Sequence, residues 1–590
     1  MKKFFQDIKV YSEYFRNYIW RYLLLFIGLE LFDVLLIIPI FRALATITLQ
    51  ASAIPFISYQ NIITILTTHS LVALALLLEL ICLILIIYGQ FTFLMVAVKN
   101  ISLSFNKVLL QTWIAVKRIR LGSLLLLMAY FVLIVPFADL VFRTPLLAKI
   151  QIPEFILDYM MRKPVFCVSM LIIYSIILIL GARLLLTLPI MAFKGQSSWS
   201  AMKKSWKLTS KKTWWAIISR LIAVSVLSIG ILAAYDGSLL LCQFLWNTWG
   251  KSWDQIFIYL NLLLVQFGSV LVLTWSGVVS FFIIFQPLHL QLEYSNKKSL
   301  KINWRFCIIS LVVYLVAISS ATCDNVFYLQ QFTHHQPLII SHRGVSAKNG
   351  VQNTITALKK TAKLHPDYVE IDVHETKDNQ FVVMHDENLK QLAKVNKKPK
   401  ELTLKQLEKI RLREDGHQAK IASLDNYLKA ANRFHQKLLI EIKTTPQDSK
   451  LMLSRFNQKY GSLIKHRHYQ VQSLDYSVIE RLHKLDDQIF VLYIQPYNFT
   501  YPYSLADGYA MEYSTLNSDF ITQAHLQHKP VYAWTVNNSG VMKQMMIEGV
   551  DGIITDNVSL LRRNIKNFEG NHSTVSQLLN YIIVLPNPWN

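Results

Sequence analysis

Residues 337–344, PLIISHRG, and 368–375, YVEIDVHE, are short apolar runs that end in charge. Runs of this length, rich in Val, Ile and Tyr, read as buried strands rather than helices. Six more follow: KLLIEIKT (437–444), YQVQSLD (469–475), IFVLYI (489–494), DGYAMEY (507–513), PVYAWTVN (530–537) and VDGIITD (550–556). Between the strands lie stretches of helical period such as TITALKKTAKLH, LTLKQLEKI, SLDNYLKAANRF and NSGVMKQMMIEG. Eight strands alternating with helices imply a parallel sheet, and eight is the number that closes a (β/α)8 TIM barrel. Polar residues at the C-terminal ends of such strands gather at one mouth, so a site is expected there.

Those ends carry a coherent chemistry. The first has His342 and Arg343; the second has Glu370 and Asp372, two apart and therefore on one side of the strand; the third has Glu441 and Lys443 in the same relation. FVVMHDE (381–387) sets His385 and Asp386 at the end of a further short extended run. Three carboxylates at one mouth repel each other unless a divalent cation neutralises them, and ligands that are all oxygen favour Mg2+ or Ca2+ over zinc. Arg343 and Lys443 suit a phosphoryl group, and two histidines allow one to take a proton while the other gives one. The set reads as phosphodiester cleavage.

Upstream, the chain changes character. The 590 residues are 53% hydrophobic, and a mean hydropathy of +0.33 is too apolar for a soluble protein of that length. Seven apolar stretches, near 22–42, 71–96, 121–141, 165–190, 214–234, 256–285 and 306–322, approach the roughly 20 residues that a membrane-crossing helix needs. The net charge of +23 is concentrated here: residues 1–336 hold 28 Lys+Arg against 12 Asp+Glu. Because these cations lie between hydrophobic runs, membrane orientation and anionic headgroups account for them, and nucleic acid is not an expected partner.

The N-terminus and alternate loops carry 20 Lys and Arg, among them Lys2, Lys99, Lys203 and Lys297, whereas the intervening loops carry Arg143, Lys149, Arg162, Lys163 and Lys251 only. The excess of Lys and Arg on the cytoplasmic side then puts the N-terminus inside and, after seven crossings, everything beyond residue 322 outside. The five cysteines, 82, 167, 242, 307 and 323, all belong to the membrane half, so the exported part has neither thiol nor disulfide. Glu30, Asp33, Glu79, Asp139, Arg183 and Arg220 fall within or at the ends of apolar runs, where pairing between helices is favoured over a transport path.

In order and spacing, ISHRG, VEIDVHETKDNQFVVMHDENL, LLIEIKT, VQSLD, YAWTVN and GVDGIITDN closely resemble the glycerophosphodiester phosphodiesterases over roughly residues 337–560. The preceding helices resemble the membrane domain of the membrane-bound bacterial members. The resemblance implies a (β/α)8 fold, His342 and His385 as the acid/base pair, Glu370, Asp372 and Glu441 as metal ligands, and Arg343 and Lys443 as phosphate contacts. It also implies that Trp534 lines the glycerol side. One departure stands out: the family often has Pro-Glu-Asn-Thr after the His-Arg-Gly turn, where this chain has Val351, Gln352, Asn353 and Thr354. Gln352 keeps an acceptor oxygen but loses the charge, so metal binding is expected to rest on the other three carboxylates.

The expected organisation is a membrane domain over residues 1–325, a linker over 326–336, the barrel over 337–565 and a tail over 566–590. The expected activity is metal-dependent hydrolysis of a glycerophosphodiester or other glycerol-phosphate-containing substrate to glycerol phosphate and an alcohol, at the outer face of a membrane. Two other readings are open: a barrel acting on intact lipid or polymeric glycerol phosphate, and a sensor that binds glycerophosphoryl groups without turnover.

Overall fold

A computed structural model of the chain describes residues 2–52, 54, 57, 62–117, 128–133, 146, 152–161, 163–250, 253–290, 304–334, 336–497, 501, 504–570 and 573–584. Among them, six helical segments are long and apolar enough to cross a membrane: Ile19–Gln50, Ser70–Lys99, Pro164–Lys194, Thr213–Trp249, Asp254–Leu288 and Phe306–Gln330. They coincide with six of the seven expected spans. The remaining one, 121–141, lies outside the described residues except for 128–133, which form helix.

Composition explains why these helices differ from those of the barrel. Their outward faces are Leu, Ile, Val and Phe, such as Leu71, Ile173 and Ile229, which are exposed because lipid is their solvent. Inward, close approach and polar pairing hold the bundle. Gly268 is one such contact: a Cβ there would run into the ring of Tyr235, whose hydroxyl donates to the Leu264 carbonyl at 2.9 Å. Four of the ionisable residues of the apolar runs have partners on other helices, and Asp139 lies outside the described residues. Gln90 donates to Asp33 and Thr48 to Glu79, Arg220 reaches Gln286 and Asp7, and Arg183 donates to the Thr209 and Trp206 carbonyls. All five cysteines are free.

The last span belongs to one helix, Trp304–His334, so the connection into the barrel is itself helical. The chain then forms β1 (Leu338–Ser341), β2 (Tyr368–Glu375), β3 (Phe381–Val383), β4 (Arg411–Glu414), β5 (His417–Lys420), β6 (Ala422–Ser423), β7 (Leu438–Ile442), β8 (Gln470–Ser473), β9 (Val491–Gln495), β10 (Gly508–Glu512), β11 (Val531–Trp534) and β12 (Gly552–Thr555). Eight of these, β1, β2 and β7 to β12, pair in parallel with their neighbours, and β1 closes the ring by pairing with both β2 and β12. Ile340, Leu439, Leu492, Ala510 and Ile554 fill the inside, while the opposite strand faces pack under the helices. This is the (β/α)8 barrel, and its strands are the eight expected.

An insertion between β2 and β7 departs from the plain pattern. β3 runs antiparallel on β2, β6 runs antiparallel on β3, and β4 and β5 form a separate hairpin. The stretch LTLKQLEKI contributes only a short helix, Leu404–Leu407, to this insertion.

Two devices tie barrel to bundle. A C-terminal helix, Thr574–Val584, returns to the membrane half: Thr574 donates to Asp254, Gln266 donates to the Tyr581 hydroxyl at 2.6 Å, and Tyr328 donates to the Gln577 carbonyl at 2.6 Å. A short helix, Glu154–Met161, from the connection preceding the span Pro164–Lys194, lies against β10 and β11 at the barrel mouth.

Candidate active site

β1 ends at Ser341 and the chain turns sharply through His342, Arg343 and Gly344. Arg343 has φ +50° and Gly344 φ +69°, both left-handed. At Gly344 a Cβ would also meet the Tyr427 hydroxyl at 2.7 Å, so this position needs glycine. The turn aims the Arg343 backbone N–H at Glu370 Oε2, 2.6 Å away. It also leaves the guanidinium 3.8 Å from Asp372.

Pairing of β2 with β7 puts Asp372 directly beside Glu441. Carboxylate oxygens of Glu370, Asp372 and Glu441 lie within 4.8 Å of one another, all buried. Lys443 Nζ sits 3.1 Å from Asp372 Oδ1 and 2.5 Å from Glu441 Oε1. Asn353 donates to Asp372 Oδ2 at 2.8 Å and accepts from the Asp372 N–H at 3.1 Å, which fixes that carboxylate. Thr354, the next residue, caps the following helix.

Electrostatics follow from this crowding. Burial, then Asp372 and Glu441, raise the Glu370 carboxyl well above the usual range. Burial also raises Glu441, against the pull of Lys443. At Asp372 burial acts upward too, but Lys443, His385 and Arg343 overcome it and hold the carboxyl far below its ordinary value. Lys443 is pushed up by Glu441 and Asp372 despite its burial. Two like charges about 5 Å apart repel by about 3 kcal/mol at an effective dielectric constant of about 20.

A divalent cation fits this set. Glu370 Oε1 is buried without a hydrogen-bond partner, and the cluster offers oxygen alone, the donor set of a hard ion. Three carboxylates outweigh Lys443 and Arg343 by one negative charge. A divalent ion turns the balance positive, and the single charge of a phosphodiester then closes it.

Both histidines are oriented by carboxylates. Nδ1 of His342 is 2.8 Å from Asp556 Oδ1, and Asn537 donates to the other Asp556 oxygen at 2.7 Å. Nδ1 of His385 is 2.9 Å from Asp386 Oδ1. Burial pushes His385 down to about 4, outweighing Asp372 and Asp386. The Asp556 carboxyl is held well below its ordinary value, against its burial, by His342 and Asn537. A cleft of about 1030 Å³ runs from this mouth, lined by His385, Glu441, Lys443, Ser473, Tyr159 and Lys163. Trp534 stands at the end of β11 with its indole N–H donated to the Ala510 carbonyl at 2.9 Å.

Gln352 has a different place from the one its sequence position suggests. Its side-chain oxygen accepts from Arg343 at 2.8 Å, and its N–H groups donate to Glu414 on the β4–β5 hairpin. Asp556, Asn353 and Asn537 are the supporting residues not singled out from sequence. Asp556 carried a usable signal, since it directly follows the last barrel strand as His342 follows the first.

Residues 8–319 match the family model described as the membrane domain of glycerophosphoryl diester phosphodiesterase, and residues 342–560 match the glycerophosphoryl diester phosphodiesterase family itself. The chain belongs to that family. It is an enzyme, a phosphoric diester hydrolase of glycerophosphodiesters. Among relatives, YhdW of Bacillus subtilis (strain 168), named for the same activity, is 30% identical over 238 residues, covering 37% of this chain and 93% of that protein. A glycerophosphodiester phosphodiesterase of Caldanaerobacter subterraneus subsp. tengcongensis is 26% identical over 237 residues, 38% of this chain and 96% of that one. Among solved structures, an Oleispira antarctica phosphodiesterase in complex with the product sn-glycerol-3-phosphate is similar at 17% identity and a TM-score of 0.35, covering 39% of this chain and 97% of that one.

Proposed function

We propose that this family member hydrolyses glycerophosphodiesters with a divalent cation, Ca2+ or Mg2+, at the outer face of the membrane. The observation that carries the reading is the meeting of Glu370, Asp372 and Glu441 within 4.8 Å, short of one positive charge. When bound there, the ion neutralises charge and polarises a phosphoryl oxygen. Arg343 and Lys443 hold the remaining phosphate oxygens, and Trp534 borders the glycerol. His385 is the base: it is neutral at neutral pH, its Nδ1 is occupied by Asp386, and its Nε2 is left to take a proton from the attacking hydroxyl. His342 is the acid: its ring is held at Nδ1 by the ionised Asp556, and it protonates the leaving alkoxide. The products are glycerol phosphate and an alcohol.

The proposed sidedness rests on loop charge, together with the path of the chain. Lys99, at the end of the second span, lies over the ring of Phe193, at the end of the span that starts at Pro164. The other end of that span adjoins the helix at the barrel mouth, and the proposed topology therefore includes a crossing between Lys99 and Pro164. The connections that meet the barrel or its C-terminal helix are those poor in Lys and Arg. The division into membrane domain (1–325), connection (326–336), barrel (337–565) and tail (566–590) is part of the same proposal.

One experiment addresses both metal and side. A membrane-impermeant chelator added outside sealed cells should abolish hydrolysis of externally supplied glycerophosphocholine, and external Ca2+ or Mg2+ should restore it. Undiminished turnover in excess external chelator contradicts the proposal, and repeating the assay on opened membranes separates a wrong side from a wrong metal.

A further inference from the structure

The helix Glu154–Met161 comes from the membrane half, yet it lies across the mouth of the barrel. At one end its Glu154 N–H donates to Ser514 Oγ at 3.1 Å, its carboxylate accepts from Tyr513, and the Phe155 ring packs at 5.7 Å on Trp534. Tyr159 in its last turn and Lys163 just beyond it line the cleft that holds His385, Glu441 and Lys443. Lys163 donates to the Tyr159 hydroxyl at 2.7 Å. It is also the residue that caps the membrane span Pro164–Leu184, so the wall of the catalytic cleft and the start of a span are consecutive residues. The cleft therefore opens at the level of lipid headgroups. A second tie, Arg42 of the first span to Asp519 at 2.6 Å, holds the barrel down on the same side.

Phe155, Ile156 and Tyr159 on this helix, with Ile152 just ahead of it, form an apolar strip that is exposed along its length. A soluble diester has no use for such a stripe beside its glycerol subsite. An acyl chain does, because it can pass from the glycerol along these side chains and remain in the bilayer, while Lys163 and Lys443 receive the phosphate.

We propose that the helix Glu154–Met161 is a substrate-selecting element and that the enzyme takes an acylated glycerophosphodiester held in the bilayer. The inference rests on the hydrolase reading above. In the step, the oxygen of water forms a bond to phosphorus, the bond from phosphorus to the headgroup oxygen breaks, and that alkoxide leaves with a proton as the free alcohol. The acylated glycerol phosphate stays in the membrane.

The test uses the full chain in phosphatidylethanolamine–phosphatidylglycerol vesicles and follows choline release from two probes, lysophosphatidylcholine in the vesicles and glycerophosphocholine in solution. Wild type should release choline from both. Ile152→Asp and Ile156→Asp alter the stripe without touching the catalytic groups, and each should lower release from the lipid by about tenfold or more while hydrolysis of the soluble probe is kept. Wild type that cleaves only the soluble probe overturns the lipid inference and leaves the hydrolase reading standing, and so do variants that retain full activity on the lipid. Failure on both probes overturns the hydrolase reading with it.

Discussion

β2 carries two kinds of buried carboxylate only a few residues apart. Glu375, at its end, is enclosed by Lys400 at 2.5 Å, Arg455 at 2.7 Å, and the N–H and hydroxyl of Ser449 at 2.8 and 2.7 Å. Its carboxyl is held below the ordinary value, because those partners outweigh its burial. Glu370 and Asp372, earlier on the strand, share Lys443 and Arg343 with Glu441, and Glu370 is pushed up. The first group is a finished structural knot. The second is short of cation, which is how a binding site differs from a brace built of the same residue types.

Substitution should separate the two regions most sharply. Glu370→Gln, Asp372→Asn and Glu441→Gln should each lower turnover by at least about 10³-fold, a loss of several kcal/mol of transition-state stabilisation. Glu370→Gln should leave the melting temperature of the metal-free protein unchanged or raise it, since a carboxyl raised by its neighbours gains from losing its charge at neutral pH. Glu375→Gln should do the reverse. It strands Lys400 and Arg455 and should cost about 2–3 kcal/mol after allowance for solvent around Arg455, or roughly 5–10 °C in thermal unfolding. Activity per folded molecule should survive. If Glu375→Gln also abolishes turnover at unchanged stability, the distinction between knot and site fails.

A smaller effect sharpens the chemistry of the site. His342→Ala and His385→Ala should each lower turnover by about 10²- to 10⁴-fold with little change in substrate affinity. A diester with a very good leaving group should rescue only His342→Ala, because the base is still needed when the acid is not. With metal saturating, kcat/KM should hold on acidification through pH 6.5 and fall only towards the depressed value of about 4 for His385. The sign follows from burial, which keeps the imidazole unprotonated, hence competent as a base, at pH values where an ordinary histidine is charged. A fall centred near 6.5 would assign the base elsewhere.

Much of this was legible in the sequence because it is local. Each barrel strand is a short apolar run that ends in a polar group, and alternation alone puts Glu370 with Asp372 and Glu441 with Lys443. What escaped depends on contacts distant in sequence. Gln352 looked like a lost metal ligand, but its partner Glu414 sits on a hairpin inserted 62 residues away, and together they brace Arg343. Apart from the run Phe381–Val383, the short strands of that insertion have too little periodicity to be read. EFILDYMM at 154–161 reads as a connection between spans, and nothing in it predicts that Phe155 meets Trp534. Asn353 belongs to the same group: it fixes Asp372 from 19 residues away, while its neighbour Thr354 caps the helix that follows.

On the proposal above, Glu370, Asp372 and Glu441 together hold a divalent cation, whereas Glu375 does not. The most direct measurement is calorimetric titration of Ca2+ and of Mg2+ into the purified full chain, stripped of metal, as wild type, Glu441→Gln and Glu375→Gln. The account predicts one ion bound per chain by wild type and by Glu375→Gln, and binding lost or greatly weakened in Glu441→Gln. Undiminished binding in Glu441→Gln, or no binding of either ion by wild type, would contradict it.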